Sequence, residues 1–206
     1  MVVGVGAIGR QVALQLAAMG LPRLTLVDFD LVEPVNLGPQ GWLEADLGQP
    51  KVNAAADLCQ QINPKLETRE IAEKFRRSRV EEYCAWPERA DARCVVFACV
   101  DSMEARSLVW KATWDRTNLL VDGRMAGENM RVLVVHNMES FDHYGTTLFT
   151  DEEAHQGACT ARSTIYTSNI VAGLMVQQMA MWLRGQPPVT DQSLSLRTSE
   201  LTVTKD

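Results

Sequence analysis

Apolar residues gather along this chain in short runs separated by stretches of helical period. Runs of strand length fall near 1–5, 24–28, 66–71, 94–99, 119–123 and 130–136. Between and after them, 8–19, 50–62, 76–84, 102–116 and 163–184 read as helices, with apolar positions recurring three and four apart. Strands alternating with helices predict an α/β fold with a mostly parallel sheet and helices on both faces. One pair departs from this. Residues 123–129 are too few for a crossover helix, so strands 119–123 and 130–136 should be antiparallel. The tail alternates in Leu194-Ser195-Leu196 and Leu201-Thr202-Val203 and reads as one or two late strands. Residues 137–162 show no clear period and are rich in Gly, Thr, His and acids, which predicts a long loop. The chain is read as one domain over 1–206. A loop region covers 137–162, and a C-terminal helix with short strands covers 163–206.

At 206 residues a single α/β domain can bury a sizeable core. The net charge of −6 argues against nucleic acid as a main partner. No apolar run approaches the roughly 20 residues of a membrane span. Because the first strand begins at residue 1, no signal peptide is expected and a cytoplasmic protein is. Cysteines stand at 59, 84, 94, 99 and 159 without a C-x-x-C pair, so neither a disulfide framework nor a zinc knuckle is expected. Cys94 and Cys99 lie in a strand-like run and Cys59 on an apolar helix face, and all three read as core thiols.

The chemistry concentrates in the first half. Met1 to Gly9 is an apolar strand running into G-x-G-x-x-G at Gly4, Gly6 and Gly9, followed by a helix. The second strand ends in Asp28-Phe29-Asp30. A glycine turn lets backbone N–H groups approach a phosphate, and the helix N-terminus adds partial positive charge. An acid at the end of the second strand can bond ribose hydroxyls. This is the Rossmann-like arrangement of a nucleotide-binding domain. Further polar clusters follow the C-terminal ends of successive strands, where open α/β sheets bind ligands. Lys51 could neutralise phosphate or be a solvated lysine at a helix start. Asp101 could hold magnesium through an oxygen or cap the helix that begins at Ser102.

Taken together these segments resemble the E1-like adenylating enzymes of the ThiF, MoeB and HesA type. The resemblance rests on G-V-G-A-I-G at 4–9, L-T-L-V-D-F-D at 24–30, V-x-x-V-N-L at 32–37, G-Q-P-K at 48–51, I-N-P at 62–64 and V-F-A-C-V-D at 96–101. It implies attack on the α-phosphate of Mg-ATP by the C-terminal glycine carboxylate of a ubiquitin-fold or sulfur-carrier protein, with release of pyrophosphate. Carried over by position, Gly4, Gly6 and Gly9 would line the phosphate loop. Asp28 would take the ribose, while Asp30, Asn36 and Gln40 would border the nucleotide and its phosphates. Lys51 would stabilise the charge that develops during attack, and Asp101 would ligate magnesium. Arg106 matches the pattern as a structural ion-pair partner. The resemblance also implies a homodimer, and the very apolar last helix has surplus surface to cover.

Three departures stand out. Pro39 occupies the place of an arginine before Gln40, so a phosphate contact is missing; Arg10 and Arg124 are candidates to replace it. Family members carry a helix and an arginine ahead of the first strand, and without that arginine adenylation could be slow or need a partner. The paired C-x-x-C zinc motifs of many members are absent, so no zinc is expected. In the family a loop before the last helix can carry a reactive cysteine. Here Cys159 precedes a predicted helix N-terminus, with Arg162 and His155 nearby, and reads as a nucleophile or as a buried thiol. His136, His143 and His155 have no metal spacing. The alternatives to an adenylating enzyme are a non-catalytic scaffold that binds a ubiquitin-like partner and an NAD-dependent oxidoreductase using the same glycine loop.

Overall fold

The computed structural model describes residues 1–85, 93–149 and 164–204. Eight strands form one sheet: β1 (Val2–Val3), β2 (Arg23–Val27), β3 (Glu67–Ile71), β4 (Val95–Ala98), β5 (Leu119–Ala126), β6 (Asn129–Val135), β7 (Asp191–Ser195) and β8 (Glu200–Thr204). Their spatial order is β3-β2-β1-β4-β5-β6-β7-β8. The pairs from β3 through β5 are parallel, and those from β5 to β8 are antiparallel. The chain builds outward from β1 to β3 and then returns to lay β4 on the other side of β1. Strand order therefore reverses between β1 and β4, and a crevice opens at their C-terminal ends.

Helices α1 (Ala7–Ala18), α2 (Leu37–Gln40), α3 (Lys51–Ile62), α4 (Val80–Cys84), α5 (Met103–Thr113), α6 (Met138–Thr146) and α7 (Ile165–Leu183) complete the domain. Alternation along the strands sorts the side chains between two cores. Val132 and Val134 of β6 join Val12, Leu16, Ala55, Val171 and Met175 from α1, α3 and α7. Leu133 and Val135 join Val109, Trp110 and Tyr144 from α5 and α6 on the opposite face. Gly123 in β5 lets α7 settle onto the sheet, because a Cβ there would lie 2.3 Å from the Met175 sulfur.

The structure corrects several sequence expectations. The stretch read as a patternless loop contains α6. Asn137 starts it, its Oδ1 accepting the Ser140 N–H at 2.8 Å. Half-buried Phe141 and buried Tyr144 pack on Trp110, with ring centroids 4.6 and 5.5 Å away, but Ser140, Asp142 and Gly145 around them read locally as loop residues. The helix predicted over 76–84 is a 3-10 turn, Arg77–Arg79, leading into α4. The first strand contracts to two residues because the chain turns at Gly4, whose φ is +86°. The late strand β7 starts at buried Asp191 and Gln192, ahead of the apolar positions that signalled it. Cys94 and Cys99 are half-buried and pack at the margins of the two cores, while Cys59 is fully buried. Among the described residues no helix is long and apolar enough to cross a membrane.

Candidate active site

A cleft of about 1030 Å³ lies at the crevice and is lined by Gly4, Gly6, Asp28, Asp30, Asn36, Gln40, Lys51 and Asp101. These positions reach from the glycine turn to the start of α5, and only the tertiary fold unites them.

The three glycines have different jobs. Gly4 takes a left-handed turn against β4, and a Cβ there would meet the Cys99 carbonyl oxygen at 2.7 Å. At Gly9 a Cβ would lie 1.8 Å from the Gly4 carbonyl oxygen, so α1 packs directly on the turn. Gly9 therefore stands behind the cleft. Gly6 precedes α1, and a Cβ on it meets nothing within 4 Å. It leaves the helix N-terminus open to a ligand.

Asp28 is buried beside the turn. Its carboxylate accepts the Val5 N–H at 2.5 Å and the Asp30 N–H at 2.8 Å. Burial pushes its carboxyl above the usual carboxylate value, and the two backbone donors and Lys51 only partly oppose this. The anionic form that would accept ribose hydroxyls is thus lost at higher pH than for an exposed aspartate.

Lys51 opens α3 with a side chain that is only 6% exposed, and its Nζ donates to Asp30 Oδ2 at 2.7 Å. The Lys51 N–H also donates to the Asp30 carbonyl at 3.0 Å. The ammonium is thereby held at the cleft, and Asp30 serves it rather than standing alone beside a nucleotide. Asn36 Oδ1 accepts the Glu33 N–H at 3.0 Å, and Gln40 Oε1 accepts the Trp42 indole N–H at 2.9 Å.

Asp101 is exposed at the cleft. Ser102, not Asp101, caps α5, its Oγ accepting the Ala105 N–H at 3.2 Å. The capping role weighed for Asp101 is therefore filled by its neighbour. Among the described residues no group of three or more His, Cys, Asp or Glu gathers to hold a metal. Magnesium binds through one or two carboxylates together with waters and substrate phosphates. One open carboxylate facing a cleft fits that habit.

Neither arginine considered as a replacement at Pro39 lines the cleft. The Arg10 guanidinium lies 5.0 Å from the Trp42 ring centre and donates to the Gln40 carbonyl. Arg124 is buried against Asp122 and Thr147. Lys74, Arg77 and Lys111, which the sequence did not single out, do line the cleft. Sequence reading also missed Asp122. Fully buried, it takes Arg106, Arg124 and the Tyr144 hydroxyl. Arg106 donates as well to the Val100 carbonyl, next to Asp101. A lone polar residue in an apolar strand was the available signal. Cys159, His155 and Arg162 lie outside the described residues.

A glycine-turn cleft at the strand-order reversal of a Rossmann-like sheet defines a nucleotide-binding domain. The chain belongs to the ThiF family, whose model matches residues 1–204. It is 28% identical over 203 residues to ubiquitin-like modifier-activating enzyme 5 of Arabidopsis thaliana, covering 88% of this chain and 46% of that protein. It is 33% identical over 108 residues to the molybdopterin-synthase adenylyltransferase of Haemophilus influenzae, covering 52% of this chain and 42% of that one. Among solved structures it resembles PaaA, with a TM-score of 0.77 at 22% identity over 99% of this chain and 62% of that chain. It also resembles Escherichia coli MccB in complex with MccA-N7isoASN, with a TM-score of 0.75 at 14% identity over 99% of this chain and 63% of that chain. These two likenesses concern the fold. The chain spans about half the length, or less, of these two curated relatives.

Proposed function

We propose that this chain is an adenylating enzyme that joins AMP from ATP to the C-terminal glycine carboxylate of a ubiquitin-fold or sulfur-carrier protein. The observation that carries this reading is the meeting of Gly6, Asp28, the Lys51–Asp30 pair and Asp101 in one cleft. Membership of the ThiF family and similarity to adenylyltransferases support it.

A carboxylate and a triphosphate repel each other, so the site must screen charge and align the attack in line. The carboxylate attacks the α-phosphorus, the bond to the β-phosphate oxygen breaks, and pyrophosphate leaves. The nucleophile is already ionised, so no general base is required. The open N-terminus of α1 receives phosphate oxygens, Asp28 fixes the ribose, and Lys51 offers a charge whose position is set beforehand by Asp30. Asp101 would hold magnesium, which when bound neutralises phosphate charge. The enzyme works in the cytoplasm as a homodimer, with no part for membrane or nucleic acid. Exposed Val35, Leu43, Ile165 and Tyr166 supply apolar surface for a second copy.

The test is ATP–pyrophosphate exchange with magnesium, with and without a ubiquitin-fold protein ending in Gly-Gly. Carrier-dependent exchange is expected. ATP binding without exchange across such carriers would instead favour a non-catalytic scaffold, the reading that Pro39 supports.

A further inference from the structure

We propose that Cys84 and Cys94 form a redox-active dithiol, which a low-molecular-weight disulfide such as glutathione disulfide converts reversibly to an intramolecular bond. The two sulfurs stand 2.6 Å apart, closer than unbonded sulfur atoms pack. Nine residues separate them in sequence, and the fold holds both backbones in place. The Cys94 N–H donates to Asn118 Oδ1 at 2.8 Å, and the Asn118 N–H returns to the Cys94 carbonyl at 2.8 Å. The end of α4 is held just as firmly. The Tyr83 carbonyl accepts the Thr25 hydroxyl at 3.0 Å, and the Ala85 carbonyl accepts Arg69 at 3.0 Å. The approach of the thiols is therefore set by the scaffold around them.

Both cysteines are half-buried, so a small disulfide can reach them. Their environments divide the labour. The contact with Cys84 lowers the Cys94 thiol from its usual value, and the same contact pushes Cys84 up. A thiolate at Cys94 with a protonated neighbour is the arrangement of an attacking and a resolving cysteine.

The Cys94 thiolate attacks one sulfur of the small disulfide, breaks its S–S bond and expels one small thiolate. Cys84 loses its proton and attacks Cys94 Sγ in the mixed disulfide, expelling the second. Two protein thiols are oxidised to one disulfide, and the small disulfide is reduced to two thiols that take up both protons. The new bond ties α4 to the start of β4. Phe75, which lines the nucleotide cleft, stacks on Tyr83 of α4 with ring centroids 5.6 Å apart. Oxidation of the pair requires no adenylation, so either reading can fail alone.

The test equilibrates the full chain in buffers of differing reduced-to-oxidised glutathione ratio, blocks free thiols with N-ethylmaleimide, and maps peptides by mass. Expected is a linked pair of peptides bearing Cys84 and Cys94, two hydrogens lighter and released by dithiothreitol. The oxidised form should melt about 5 °C or more above the reduced form, because the unfolded chain is constrained. Cys84→Ser and Cys94→Ser should each abolish both the link and the rise. Before oxidation, the alkylation rate of Cys94 should have its midpoint below that of an ordinary thiol in the native chain and move upward in Cys84→Ser. Full alkylation of both cysteines at every ratio would overturn the proposal. So would bonding through Cys59, Cys99 or Cys159, or a mixed disulfide with glutathione that never resolves.

Discussion

Lys51 and Asp30 work as a pair, in which the lysine carries charge to the cleft and the aspartate fixes where it sits. Asp30 is 45% exposed on its side chain, so removing Lys51 leaves no buried lone charge. Lys51→Ala should therefore still fold, losing only the packing of its buried stem, and should lower pyrophosphate exchange about 100-fold or more, in line with loss of one preorganised transition-state contact. Asp101→Ala, at an exposed position, should do the same. Normal exchange in both variants would remove these residues from the site. The glycines offer a sharper contrast. Gly9→Ala forces a Cβ into the Gly4 carbonyl and should cost about 3 kcal/mol or more in urea unfolding. Gly6→Ala meets no protein atom, so it should fold normally and weaken ATP binding by intruding on the ligand's space. Equal stability of the two variants would contradict the roles given to them.

Elements are held to one another by buried charges whose partners no local pattern announces. Asp122 on β5 joins α5 through Arg106 and α6 through Tyr144. Asp122→Asn leaves two buried guanidinium groups with a neutral partner, and a loss of about 3–5 kcal/mol is expected in denaturant unfolding. A loss under about 1 kcal/mol would show that the network is not essential. Farther along the sheet, Asp191 on β7 receives Arg131 of β6 through two contacts at 2.8 and 2.5 Å and His143 of α6 at 2.8 Å. Burial raises the Asp191 carboxyl, but hydrogen bonds from Arg131 and His143 outweigh burial and hold it below the usual carboxylate value. It is harder to protonate folded than unfolded. Its contribution is therefore present above the ordinary carboxylate range and is lost as pH falls through the lowered folded value. Asp191→Asn should be less stable than the native chain at about pH 7, and the gap should close in acid. A gap that is constant with pH would mean packing, not charge, holds this joint.

For the whole molecule, the sheet runs unbroken from β3 to β8, and one cleft sits where its order reverses. Nucleotide binding should therefore stabilise the entire domain. ATP with magnesium at about a hundred times its Kd is expected to add about 2.7 kcal/mol to unfolding, seen as a higher melting temperature. Asp28→Ala should erase most of that rise. A rise of equal size with NAD and none with ATP would point to the oxidoreductase reading.

The sequence by itself determined the fold class, the antiparallel turn from β5 to β6, the glycine loop and part of the cleft's polar lining, from Asp28 to Asp101. Those features are local: a period, a turn or a short motif fixes each within a few residues. It could not show α6, because Asn137, Ser140, Asp142, Gly145 and Thr146 read locally as loop residues. Nor could it show that Asp30 serves Lys51, that Asp122 gathers two arginines, or that Cys84 meets Cys94. The same holds for Arg10 and Arg124, which the sequence made equal to any free arginine and the fold turned toward Trp42 and Asp122. Such partnerships join residues on different elements. They depend on how the sheet brings those elements together, and only the tertiary structure decides that.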